Sequence, residues 1–216
     1  MHKEEVITRI KQNGLVAVVR ADNSDQACRI TDACLEGGVS SIEITFTIPG
    51  ALKVMAELRA RFSTNQLLLG AGSVLDPETA RQAILEGASY IVAPCLNEAT
   101  IRLCNRYRIA CMPGALTVAE LVACLEAGAD IVKVFPGELV GPTFIKAVSA
   151  PLPQAQLMPT GGVSLENCAE WIKAGAVALG VGGQLTGAAK TGDYAAITQT
   201  ARRFLDAIKQ ARLSQK

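Results

Sequence analysis

Two ionisable side chains stand inside otherwise apolar runs: Lys133 in 131-IVKVF-135 and Glu43 in 42-IEITF-46. Successive side chains of an extended strand point to opposite faces. With Val132 and Val134 packed outward beneath helices, Lys133 points inward with Ile131 and Phe135. By the same alternation Ile42, Ile44 and Phe46 pack outward, and Glu43 and Thr45 point inward. The opposite register would press a charge into an apolar layer, at high cost without a partner. Removing an amine from water disfavours its charged form, and the neutral amine can attack a ketone to form a Schiff base. Lys133 is therefore the candidate nucleophile and Glu43 the candidate acid–base that moves protons at the neighbouring carbon. The competing reading is an ion pair that only holds the fold. Buried pairs rarely repay their desolvation against apolar replacements, which weighs against it.

A second constellation joins 159-PTGGV-163 to 180-GVGG-183, at the ends of two later runs. Gly161 and Gly162, with Gly182 and Gly183, let the backbone approach an anion, and a helix opening at Ser164 and Leu165 would add its dipole. Phosphate binding is the expectation. Arg20 ends the first run, 15-LVAVVR-20, as the cation on the same side. Ser73 in 70-GAGSVLDP-77, Pro94 after the fourth run and 112-MPGALT-117 after the fifth close other strand ends with small groups that leave room for a small substrate.

The elements that must position these residues are legible from their spacing. The eight runs begin at residues 15, 41, 67, 89, 109, 131, 156 and 177, so their starts are 20–26 residues apart. That is the rhythm of strand–helix units joined by short loops. Ser24-Asp25, Asp76-Pro77, Thr117 with Glu120, and Ser164 mark helix starts. The junctions 36-EGGVS, 86-EGASY, 126-EAGAD and 173-KAGAV repeat one device in which glycine ends a helix before a strand. Eight apolar strands alternating with helices predict an α/β (β/α)8 TIM barrel as a single domain over residues 1–216, with a short helix over 3–13 covering its bottom. No G-x-G-x-x-G follows the first run, which weakens a dinucleotide-binding reading.

Composition narrows the function. Half of the residues are hydrophobic and 19% are charged, which excludes a disordered chain. A net charge of +1 and 4% aromatics leave neither a basic field nor a stacking surface for nucleic acid. No apolar run reaches a membrane span, and the acidic pair Glu4-Glu5 comes too early for a signal peptide. The seven cysteines form no C-x-x-C pair, and reduced, buried thiols in a cytoplasmic protein are expected. The single histidine, His2, leaves no material for a His-based triad or a His-type metal site, so no metal is expected.

Taken together, 42-IEITFTIP, 70-GAGSVL, 112-MPGALT, 131-IVKVFPGE and 159-PTGGV resemble the class I pyruvate aldolases that cleave 2-dehydro-3-deoxy-6-phosphogluconate, many of which also handle 4-hydroxy-2-oxoglutarate. The resemblance runs from the first strand to the eighth. It implies a Schiff-base lysine at Lys133, a proton-transfer glutamate at Glu43, phosphate-binding glycines at Gly161 and Gly162, and a small hydroxyl residue at Ser73. It also implies a metal-free homotrimer with no cofactor. Where the family carries an arginine for the pyruvate carboxylate, this chain has Thr47; branches that end the first strand with arginine assign that role to Arg20. Gln184 stands near the place of a serine that aids phosphate binding. The alternatives are the 2-dehydro-3-deoxy-6-phosphogalactonate enzyme, another phosphate-binding barrel enzyme such as an epimerase or decarboxylase, and a non-catalytic sugar-acid phosphate sensor.

Overall fold

The computed structural model describes residues 2–214. Every expected apolar run forms a strand, and the fifth forms two. They are β1 Leu15–Val19, β2 Ser41–Thr45, β3 Leu68–Gly72, β4 Tyr90–Val92, β5 Ala110–Met112, β6 Gly114–Ala115, β7 Val132–Val134, β8 Leu157–Pro159 and β9 Leu179–Val181. Pro113 divides the fifth run because it has no N–H to contribute to a ladder. Its carbonyl still accepts the N–H of Lys133 at 2.9 Å.

All strand pairs are parallel, in a six-stranded sheet ordered β5-β4-β3-β2-β1-β9 and a three-stranded sheet ordered β6-β7-β8. A parallel bridge between Thr160 and Gly180 links the end of β8 to β9. The architecture is thus α/β around a curled parallel sheet. The single continuous ladder expected from the sequence is instead interrupted: β7, β8 and β9 are three residues long, and Pro113 and Pro159 cannot donate.

The helices are α1 Lys3–Asn13, α2 Ser24–Glu36, α3 Ala51–Arg61, α4 Pro77–Leu85, α5 Glu98–Arg106, α6 Val118–Glu126, α7 Gly141–Ser149, α8 Cys168–Lys173, α9 Gly183–Thr186 and α10 Tyr194–Leu213. Asp76 caps α4 with Pro77 in its first turn, and Thr117 with Glu120 forms a reciprocal capping box on α6. Two starts differ from the sequence reading. Asn23 caps α2 by accepting the N–H of Gln26. The helix expected at Ser164 begins at Cys168, because Asn167 accepts the Ser164 N–H and its own amide donates to the Gly162 carbonyl, holding 162–167 as a loop. The repeated junction glycines stand one residue beyond the cap: Gly87 and Gly128 hold φ of 95° and 90° after Glu86 and Ala127.

Two apolar layers follow from the alternation. Ile42, Ile44, Val132, Val134 and Leu157 pack outward beneath the helices. Val16, Leu68, Tyr90, Met112, Ile131 and Met158 fill the concave side, which Val6 and Ile10 of α1 close from below. Lys3 fastens α1 there. Its ammonium lies 2.9 Å from Asp130 and donates to Asn105, while Asp130 accepts the Cys111 N–H. None of the cysteines is in a disulfide, and six are buried, but Cys95 is exposed after β4. Among the described residues no helix is long and apolar enough to cross a membrane.

Candidate active site

Lys133 lies at the centre of β7 and Glu43 at the centre of β2, both on the concave side. They are 5% and 1% exposed, so each depends on the interior for its electrostatics. Lys133 Nζ stands 3.9 Å from Glu43 Oε1 and 5.1 Å from the centre of the Phe135 ring. The sheet therefore brings together three residues chosen from sequence, Lys133, Glu43 and Phe135. Their spacing is informative. A pair that holds a fold sits at hydrogen-bond distance and satisfies its remaining lone pairs. Here neither Glu43 oxygen has a hydrogen-bond partner among the described residues. The carboxylate is left free to exchange protons with something brought between it and the amine.

The other candidates distribute around the ends of the strands. Ser73 follows β3 with φ of 60°, in the left-handed region where a serine is held only by its surroundings. Pro94 is half-buried, and its carbonyl sits so close to Gly114 that a Cβ there would lie 2.1 Å away. Thr47 is exposed, with its hydroxyl 2.9 Å from that of Thr45, which in turn donates to the Val19 carbonyl. Gly161 and Gly162 have φ of 89° and 69°. Glu138 presses against them: its Oε2 would lie 2.9 Å from a Cβ at Gly161, and its Cβ 2.6 Å from one at Gly162. The glycine pair is thus required by backbone conformation and by this packing, whatever it binds. The helix dipole expected to follow immediately begins instead at Cys168.

Arg20 is exposed just beyond β1 and does not pair with Glu43, whose ion-pair partner is Lys133. Its guanidinium covers Gly182, with Nη1 2.9 Å from where a Cβ would stand. Arg20, Asp22, Gly183 and Lys190 line a cavity of about 330 Å³ beside the start of α9. Arg20 therefore joins the Gly182–Gly183 end of the site.

Sequence reasoning missed three features of the interior. Tyr90 is fully buried beside Glu43, and burial, with the Glu43 charge adding to it, pushes its phenol well above the ordinary range. The Thr160 hydroxyl is buried without a hydrogen-bond partner among the described residues and closes on Gly180, where a Cβ would lie 2.2 Å away. The small residues of 70-GAGSVLDP-77 suggest room for a substrate, but at Gly70 and Gly72 that room is filled from within the protein. The structure gives that room to Tyr90 and Glu43, whose side chains lie over them. The signal was present in the alternation of 90-YIV-92, which turns Ile91 outward and Tyr90 inward.

An amine and a carboxylate facing each other inside a parallel α/β sheet suit the making and breaking of carbon–carbon bonds, and comparison with known proteins puts the chain among the aldehyde-releasing lyases. It belongs to the KDPG and KHG aldolase family, whose model matches residues 6–200. The 2-dehydro-3-deoxy-6-phosphogalactonate aldolase of Escherichia coli K12 is 33% identical over 91% of this chain and 95% of its own. The 2-dehydro-3-deoxy-phosphogluconate aldolase of Treponema pallidum is 31% identical over 94% and 96%. A solved native KDPGal structure superposes with a TM-score of 0.86 at 32% identity, covering 92% of this chain and 96% of that one.

Proposed function

We propose that this protein is a Schiff-base aldolase that cleaves 2-dehydro-3-deoxy-6-phosphogluconate to pyruvate and glyceraldehyde 3-phosphate, and 4-hydroxy-2-oxoglutarate to pyruvate and glyoxylate. The observation that carries it is the buried Lys133–Glu43 pair, 3.9 Å apart, with neither carboxylate oxygen hydrogen-bonded among the described residues. The neutral Lys133 amine attacks the C2 ketone. Glu43 relays the protons that turn the carbinolamine into a protonated imine with loss of water. Glu43 then takes the proton of the C4 hydroxyl as the C3–C4 bond breaks, and the bond's electrons move to the imine nitrogen. The aldehyde leaves, the enamine is protonated at C3, and hydrolysis frees pyruvate and the amine. The imine serves as the electron sink.

The reading includes a single closed (β/α)8 barrel over residues 1–216. It is supported by the continuation of β5 into β6 across Pro113 and by the Thr160–Gly180 bridge from β8 to β9. Gly161 and Gly162, with Gly182 and Gly183, hold the substrate phosphate; Ser73, Pro94, Thr47 and Phe135 shape the mouth. We propose a cytoplasmic homotrimer that uses no cofactor or metal and takes a phosphorylated keto-deoxy sugar acid, with no nucleic-acid or membrane partner.

The test is reduction with borohydride in the presence of pyruvate, followed by peptide mass spectrometry. The expected result is a pyruvyl adduct on Lys133. A sensor or a metal-dependent enzyme leaves no adduct, and either outcome defeats the reading. Assays on the gluconate and galactonate epimers then show which sugar is preferred.

Arg20 supplies the cation for the substrate carboxylate in this reading. It directly follows β1, which pairs with the strand that carries Glu43, whereas Thr47 brings no charge. Arg20→Met is expected to weaken pyruvate binding about 10- to 150-fold, the value of one charge-assisted hydrogen bond. Titration of the borohydride-trapped adduct against pyruvate concentration measures it. Unchanged trapping with a raised KM for the phosphorylated substrate would assign Arg20 to the phosphate instead, as its position over Gly182 also permits.

A further inference from the structure

Two glycines on one face of β3 make space for two larger side chains. Gly70 stands between Glu43 on β2 and Tyr90 on β4 in the strand register. A Cβ on Gly70 would lie 2.1 Å from Tyr90 Cε2 and 2.2 Å from its Cζ. The ring therefore reaches across β3 towards β2, carrying its hydroxyl with it. Two residues further on, a Cβ on Gly72 would lie 2.0 Å from Glu43 Oε1, so the glutamate leans across the same strand from the other flank. Positions two apart on one face of a strand are separated by about 7 Å. Both side chains thus lie over β3 in the interior, the ring at Gly70 and the carboxylate at Gly72, near enough for the Glu43 charge to act on the phenol.

Both groups are buried, and neither the Tyr90 hydroxyl nor either Glu43 oxygen has a hydrogen-bond partner among the described residues. A phenylalanine would fill the same space without burying a polar atom, which is costly when it has no partner. Because burial keeps the phenol protonated, it remains a donor across the working range. The titratable groups facing Glu43 are Lys133 from β7 and Tyr90 from β4. In register with Glu43, β1 presents Val18 and β3 presents Gly70, while Arg20 lies against Gly182.

We propose that Tyr90 is a positioning residue for Glu43: its hydroxyl donates to a water that bridges to the carboxylate, holding the charged form aimed towards Lys133. The inference rests on the aldolase roles of Lys133 and Glu43. A donor to the charged form of a carboxylate lowers its proton affinity, and removing the donor raises it.

Tyr90→Phe keeps the ring over Gly70 and removes only the hydroxyl. The Glu43 carboxyl is followed by carbon-13 NMR titration, assigned by its disappearance in Glu43→Gln. Its midpoint is expected to rise by about one pH unit in Tyr90→Phe. The acidic limb of the pH–rate profile for cleavage moves in the same direction by a similar amount. KM changes little, and the pyruvate adduct on Lys133 still forms. An unmoved NMR midpoint overturns the role of Tyr90. Should the unmodified protein trap no pyruvate, the aldolase reading fails, yet the NMR titration still decides whether Tyr90 acts on Glu43.

Discussion

Lys133→Ala is expected to lower kcat by about 10^4- to 10^6-fold, the scale seen when a covalent nucleophile is removed, and to abolish the pyruvyl adduct. The reason is geometric as well as chemical. Lys133 is the lysine carried within a strand, and its amine is nearly sealed from solvent beside Glu43 and the Phe135 ring. Lys133→Arg is expected to fail as completely, because a guanidinium stays protonated and cannot form the imine. Mass spectrometry after borohydride reduction checks both variants. A pyruvyl adduct that persists in Lys133→Ala, for example on the exposed Lys146 of α7, would remove Lys133 from the mechanism.

Glu43→Gln is expected to reduce kcat by about 10^2- to 10^4-fold, the usual worth of a positioned acid–base group, while leaving stability almost unchanged. The two halves of this prediction are linked. A buried carboxylate that held the fold together would be destabilising to neutralise, by about 3–5 kcal/mol if it broke a tight pair. Here the pair is 3.9 Å apart, and neither oxygen has a hydrogen-bond partner among the described residues. The melting temperature of Glu43→Gln is therefore expected to move by less than about 4 °C, equivalent to about 1 kcal/mol for a chain of this size. Steady-state kinetics and calorimetry on the same preparation test both halves. A large fall in Tm with a small fall in kcat would return the pair to a purely structural role.

The packing of the strand ends also changes how the glycines are understood. Gly161 and Gly162 read in the sequence as an anion cradle, but Glu138 occupies their Cβ side in the structure. Any phosphate must approach from the side that Glu138 leaves uncovered. Gly182 is likewise needed for Arg20 to lie across the end of β9. These glycines are small because particular side chains lie on them, and their chemistry depends on what remains uncovered.

The period of apolar runs was enough to place the strands, because a parallel sheet covered on both faces demands short, nearly charge-free segments, and any charge inside one stands out. That is why Lys133 and Glu43, Phe135 beside them, and the inward direction of each were legible from residue type and alternation alone. Contacts between strands distant in sequence were not legible. Nothing local says that the space over Gly70 and Gly72 belongs to Tyr90 and Glu43, that Glu138 backs the 161–162 loop, or that Arg20 turns to Gly182 and not to Glu43. The start of α8 at Cys168 was equally hidden, since Asn167 can close either a helix or a loop, and here its side chain accepts from the Ser164 N–H and donates to the Gly162 carbonyl. Alternation gives the face on which a side chain lies. Which neighbour it meets there depends on the stagger of adjacent strands and on the volume each glycine leaves, and both are set only when the sheet curls and its faces pack.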